Sequence, residues 1–187
     1  MAVYTKISKR DISIINNNFN IEKIVSFHGI KKGIENTNYL LKSKNKKYIL
    51  TIFEKRVSKK EIPFFMKLMD ILNRSKINCP KPLKTNNKSY IIKLKNKSAC
   101  IVSFLEGKDK KLLRPIDCFA IGKSIAQMHL ITKKIKLNRK NSMGINNLNT
   151  LLNSIKFKAA QSSNLKVFLK NNLKNIKREW PKNLPKG

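Results

Sequence analysis

Apolar and polar positions follow two rhythms along this chain, and the switch between them divides it. Ile24 to Phe27, Asn38 to Lys42 and Tyr48 to Phe53 are short runs bounded by turn-forming residues, a pattern that predicts three β-strands. Lys44-Asn45 makes the turn between the second and third. The third run is apolar on both faces, as a central strand is. The period then lengthens. Ile62, Phe65, Met66, Met69 and Leu72 recur at helical spacing and mark one face of an amphipathic helix. Ser58, with Glu61 three residues on, reads as a capping box for its start. The helix stops before Cys79-Pro80-Lys81-Pro82, because proline cannot continue it. Tyr90 to Leu94 and Ala99 to Leu105 return to the strand rhythm, preceded by the Asn86-Asn87 turn and joined by Lys95-Asn96-Lys97.

The flanks are helical. Ser8 is placed to cap a short helix carrying Ile12, Ile15 and Phe19. After Gly107 the strand pattern ends, and Pro115 suits the first residue of a helix with Asp117 in its first turn. Gly122, Ile125, Ala126 and His129 share a face of that helix, where His129 reads as structural. A Lys- and Asn-rich loop over 133–147 follows. Leu148, Leu151, Leu152 and Ile155, then Leu165, Leu169, Leu173, Ile176 and Trp180, predict two helices or one broken near Ser162-Ser163, with Trp180 anchoring the end. The element order predicts an α+β fold: a five-stranded antiparallel sheet with one helix over residues 1–105, then the first helices of an incomplete helical region over 106–187. That layout is shared by a kinase small lobe opening into a large lobe and by generic α+β domains, and element order alone does not separate the two.

Composition changes the picture less than its size suggests. The net charge is +32, which by itself points to nucleic acid or an anionic surface. The positive charge is mostly lysine, however, and Arg10, Arg56, Arg74, Arg114, Arg139 and Arg178 are scattered. A general bias toward Lys, Asn and Ile explains all three excesses, whereas nucleic-acid binding explains only the lysines. The 41% of hydrophobic residues suffices for a core, and no run approaches a membrane span. The start of the sequence shows no secretory signal. Three separated cysteines read as reduced cytoplasmic thiols, and with two histidines a zinc site is not expected.

The candidate chemistry lies in the loop between the first two strands. Gly29 and Gly33 allow a sharp turn and a close backbone approach to an anion, and Lys31 and Lys32 add charge. A hairpin turn using positive φ is the plain alternative. The loop's place favours the first reading, since a kinase's phosphate lid joins its first two strands. His28, beside it, reads as a solvent-exposed loop residue.

Around this loop the segments "SFHGIKKGIENTNYLL", "YILTIFEKRV", "EIPFFMKLMDIL", "CPKPL", "IVSFLEGK", "IGKSIAQMHL", "NSMG" and "WPKNLPKG" run in the order found in bacterial homoserine kinases with the aminoglycoside phosphotransferase and choline kinase fold. The opening "MAVYTKIS" resembles theirs as well. The resemblance spans the whole chain, with "GIENTNY" and "ILTIFEKRV" specific to the group. It implies ATP- and Mg2+-dependent phosphorylation of the hydroxyl of L-homoserine in threonine biosynthesis, by a cytoplasmic enzyme with no specific nucleic-acid or membrane partner. It further implies that Gly29, Lys31, Lys32, Gly33, Asn36 and Asn38 lie on the phosphate side of the nucleotide, and that Ser103, Phe104, Leu105 and Glu106 form the hinge facing adenine.

The sequence departs from the family pattern in three places. Thr51 stands where kinases carry a third-strand cation, leaving Lys55, Arg56 or the loop lysines to serve. Glu61 could be a helix cap or the acidic partner of that cation. Nothing after "LPKG" supplies the expected His-x-Asp-x-x-x-x-Asn catalytic loop, so catalytic residues and metal ligands are expected outside this chain. It is read as a piece of the enzyme, truncated before the catalytic loop, with weak ATP binding at most, no phosphoryl transfer and poor solubility. Two other readings are carried forward: a choline- or aminoglycoside-type kinase of the same fold, and a basic nucleic-acid-binding module.

Overall fold

The computed structural model describes residues 3–54, 57–139, 144–155 and 161–181, and its strands begin and end where turn chemistry interrupts the apolar runs. They are β1 (Ser26–Gly29), β2 (Thr37–Lys42), β3 (Lys47–Ile52), β4 (Ile92–Leu94) and β5 (Lys97–Ser103). All pair antiparallel, in the order β1-β2-β3-β5-β4. Lys95 and Asn96 both take positive φ, the conformation of a tight two-residue hairpin loop, and so fix the β4–β5 register. β1 starts later than the sequence suggests, because the Ile24 amide donates instead to the Asn16 side chain. β4 is shorter than predicted, because the Ser89 hydroxyl takes up the Ile91 amide.

The two faces of the sheet are covered differently. Tyr39, Leu41, Tyr48, Leu50, Ile52, Ala99 and Ile101 pack with Ile12, Ile15 and Phe19 of α1 (Lys9–Asn18) into the main core. Ser8 caps α1 as predicted. Its amide donates to Asp11 Oδ2 at 2.8 Å while its hydroxyl receives the Asp11 amide. On the other face, Cys100 packs with Ile62 and Met66 of α2 (Ile62–Arg74).

The capping box predicted for α2 does not form. Glu61 occupies the cap position without a side-chain cap bond, and Ser58 lies in the preceding turn, where its carbonyl accepts from the Glu61 amide. Pro63 gives the reason. A helix capped by Ser58 would need an amide hydrogen at residue 63, which proline lacks; the observed start puts Pro63 in the first turn, where none is needed.

Helix α3 (Pro115–Thr132) starts at its proline, with the Asp117 carboxylate accepting from the Arg114 amide. It has no buried residue; Phe119 is 68% and Leu130 67% exposed. The chain divides into two compact units, Met1–Leu137 and Asn138–Gly187. The second holds a 3-10 turn (Ile145–Asn147), α4 (Leu148–Ser154) and α5 (Gln161–Glu179), with Leu152 and Leu173 buried. The break between the helices therefore lies before Ser162-Ser163, which fall inside α5. Trp180 is no anchor: it is 46% exposed at the end of α5.

Candidate functional site

The glycine loop, residues 30–36, leaves β1 and returns at Thr37. Its first step continues the sheet, the Ile30 amide donating to the Asn38 carbonyl at 2.8 Å. Its two glycines serve different ends. Gly33 has φ +115°, a conformation that a side chain resists, and the space where a Cβ would sit is open. At Gly29 a Cβ would meet Val3 Cγ2 at 2.9 Å, so this glycine makes room for the segment ahead of α1. Gly33 is thus the glycine whose backbone is open to a ligand.

Lys31 and Lys32 are exposed, and Lys32 Nζ lies 3.4 Å from Asp109 Oδ2 in the segment after β5. The Asn36 side chain turns back to accept the Glu54 amide at 3.3 Å. Asn38 pairs with Thr51 across β2 and β3, and the Thr51 hydroxyl donates to its Oδ1 at 2.8 Å. Both are half-buried on the face that α2 covers only in part. The alternative cations Lys55 and Arg56 lie outside the described residues.

Ser103 ends β5, and Phe104, Leu105 and Glu106 follow outside regular secondary structure. The Lys81–Leu83 stretch braces this exit. The Ser103 amide donates to the Lys81 carbonyl and the Lys81 amide to the Ser103 hydroxyl, both at 2.9 Å. The Phe104 amide donates to the Lys47 carbonyl at 3.2 Å, and Lys47 also pairs with Glu106 at 2.8 Å. Ser103 and Phe104 have thus spent their amide donors within the fold, whereas no described residue accepts from the Leu105 or Glu106 amide.

Sequence reasoning missed the group at the base of the loop. Thr37 is fully buried, and its hydroxyl donates to Glu54 Oε1 at 2.6 Å. The Thr5 hydroxyl reaches the same oxygen at 2.7 Å, and Lys97 closes an ion pair on Oε2. Burial alone would raise the Glu54 carboxyl, but Lys97, Thr37 and Thr5 outweigh it and hold it below its ordinary value. The available signal was Glu54 itself, a carboxylate directly after the buried run of β3.

Gly33, Lys31, Lys32, Asn36 and Asn38 are thereby gathered around one loop, with Leu105 and Glu106 at the β5 exit and the Lys32–Asp109 pair linking the loop tip to the segment beyond. A cavity of about 410 Å³ opens elsewhere, between α1 and β1, and holds none of these residues. His28 lines it, and His129 is exposed on α3. Among the described residues no three His, Cys, Asp or Glu side chains gather to hold a metal ion, and no helix is long and apolar enough to cross a membrane.

Comparison with known proteins gives the family and the fold. The model of the phosphotransferase enzyme family matches residues 26–187. The whole chain is similar to homoserine kinases of Methylocella silvestris (34% identity, 59% of that protein covered), Parvibaculum lavamentivorans (35%, 59%) and Paramagnetospirillum magneticum (36%, 58%). It thus spans a little over half the length of these relatives. The fold is that of an amicoumacin kinase solved with AMP-PNP, Ca2+ and Ami (TM-score 0.66, 14% identity, 92% of this chain and 54% of that one). It is also that of a spectinomycin phosphotransferase solved with ADP and its antibiotic (TM-score 0.58, 16% identity, 93% and 56%).

Proposed function

We propose, from the premise that the chain belongs to the phosphotransferase enzyme family, that it forms the ATP-binding part of a cytoplasmic kinase acting on the hydroxyl of L-homoserine, a step of threonine biosynthesis. Similarity to homoserine kinases over the whole of this chain, at about 35% identity, carries the reading. Residues 1–105 are assigned as the nucleotide-binding lobe and 106–187 as the start of the helical lobe.

In this reading Gly33, with its open positive-φ backbone, admits the phosphates, and Lys31 and Lys32 neutralise them. Gly29 and Asn36 hold the loop's two ends, while Asn38 lies on the open sheet face beneath it. Leu105 and Glu106 offer their amides to the adenine edge, held in place by Ser103 and Phe104. When bound, Mg2+ would neutralise the transferring phosphate. Among the described residues no cluster of carboxylates, histidines or cysteines gathers to hold it.

Titration with a fluorescent ATP analogue, displaced by ATP, tests nucleotide binding. Saturable binding that weakens several-fold in Lys31→Ala/Lys32→Ala supports it. Salt-sensitive DNA binding without nucleotide affinity overturns it. For the acceptor, the enzyme containing these residues is assayed with homoserine, choline and an aminoglycoside. Turnover of either of the latter two but not of homoserine overturns the substrate assignment.

A further inference from the structure

The segment ahead of α1 is fastened to both ends of the glycine loop. At the entry, Val3 fills the space that Gly29 leaves by lacking a Cβ. Near the exit, the Tyr4 hydroxyl donates to the Ile34 carbonyl at 3.0 Å, a contact from outside the loop to its backbone. At the exit itself, the Thr37 hydroxyl accepts the Tyr4 amide at 3.0 Å and the Thr5 amide at 3.1 Å.

That hydroxyl is saturated. It has two lone pairs and one hydrogen; the lone pairs take the two amides and the hydrogen goes to Glu54. An ionised Glu54 can only accept, so it forces the Thr37 hydrogen toward itself and leaves the lone pairs for the segment. Lys97 donates both to Glu54 and to Thr5 Oγ1, the latter at 2.8 Å. The Tyr39 hydroxyl fastens the segment again, donating to the Thr5 carbonyl at 3.0 Å and accepting the Ile7 amide at 3.3 Å. The partners come from β2, β5 and Glu54 just beyond β3, so the segment is tied to the sheet.

We infer that residues 3–5 are a brace that sets the conformation of the glycine loop, with Tyr4, Thr37 and Glu54 as positioning residues for nucleotide binding. The nucleotide part rests on the function proposed above; the brace does not. At the loop tip Gly33 touches nothing at its Cβ position, and Lys31, Lys32 and Ile34 are exposed. The brace adds ties to β2 and β5 beside the Lys32–Asp109 pair at the tip and the Asn36 contact with the Glu54 amide.

Hydrogen exchange of the loop amides without nucleotide, in parallel with titration of the ATP analogue, tests both parts on residues 1–187. Tyr4→Phe removes one hydroxyl from a residue already 56% exposed and leaves the core alone. Exchange at 34–37 should quicken about fivefold, the factor one lost hydrogen bond commonly carries, with β3 and β5 unaffected. Thr37→Val should loosen the loop further, and Thr37→Ser should restore it. Analogue affinity should fall in Tyr4→Phe and Thr37→Val and return in Thr37→Ser. Unchanged loop exchange in Tyr4→Phe and Thr37→Val overturns the brace, as does quickening spread evenly over the sheet. Faster loop exchange in a protein that never binds nucleotide supports the brace and removes the nucleotide reading alone.

Discussion

Thr51 on β3 and Asn38 on β2 are register partners, and the Thr51 hydroxyl donates to Asn38 Oδ1 at 2.8 Å. A neutral hydrogen bond thus ties β2 to β3 on the face that α2 covers only in part. The bond is half-buried, so its loss matters to stability as well as to any ligand above it.

Thr51→Val keeps the shape and removes the donor, leaving the Asn38 oxygen unpaired. The expected cost is about 1 kcal/mol, a fall of ~2–4 °C in Tm for a chain of this size. Calorimetry checks this; an unchanged Tm would show that water replaces the bond without loss.

Glu54 gives a pH dependence whose sign is fixed by its partners. The folded state holds its carboxyl below the ordinary value: burial opposes this, and Lys97, Thr37 and Thr5 prevail. Its stabilisation is therefore complete above the unfolded value of about 4.3 and is lost as pH falls through the lower folded value. Glu54→Gln should cost about 1–3 kcal/mol at pH 7, and the gap to the unsubstituted protein should close in acid. Urea unfolding at a series of pH values measures it; a gap independent of pH would contradict the assignment. Asp11 adds to the same acid sensitivity. Burial raises its carboxyl, while the Ser8 hydroxyl, the Ser8 amide and Lys95 bring it below the ordinary value.

The two glycines separate cleanly by double mutation. Gly29→Ala drives a Cβ into Val3 and should lower stability by about 1–3 kcal/mol, much of it recovered by adding Val3→Ala. Gly33→Ala meets no atom and carries only the strain of its positive φ, of order 1–3 kcal/mol, which Val3→Ala cannot relieve. Equal response of both glycines to Val3→Ala would refute the distinction.

Thiol chemistry reports on the second sheet face. Cys100 is buried, and burial pushes its thiol up to about 12, so it should resist alkylation until the protein unfolds. Cys79 is half-buried and also raised by burial, whereas Cys118 is exposed on α3. Mass spectrometry after brief iodoacetamide treatment should show Cys118 modified first and Cys100 last.

Much of the sheet was legible because local rules agreed. Alternation along Asn38 to Lys42 matches the buried Tyr39 and Leu41 against half-exposed neighbours, and Ser8 and Pro115 mark helix starts by chemistry that needs no tertiary partner. The Ser58 box failed because a second local rule, the missing amide of Pro63, was stronger. Trp180 was misplaced because burial of an aromatic depends on neighbours that its own helix does not specify. The loop could be found from its glycines. Its brace could not, since Tyr4 and Thr37 lie 33 residues apart and Thr5 and Lys97 92 apart, a pairing that only the closed sheet creates.

The strand order carries a last consequence. The sheet's margins are β1 and β4, four and three residues long. Ribbons that short offer little template for another chain to zip onto. Sticking between molecules must then use greasy side chains, and α3, oily around its circumference yet bare to water, supplies them. Adhesion of that kind loosens in the cold and strengthens as salt masks the mutual repulsion of so many lysines.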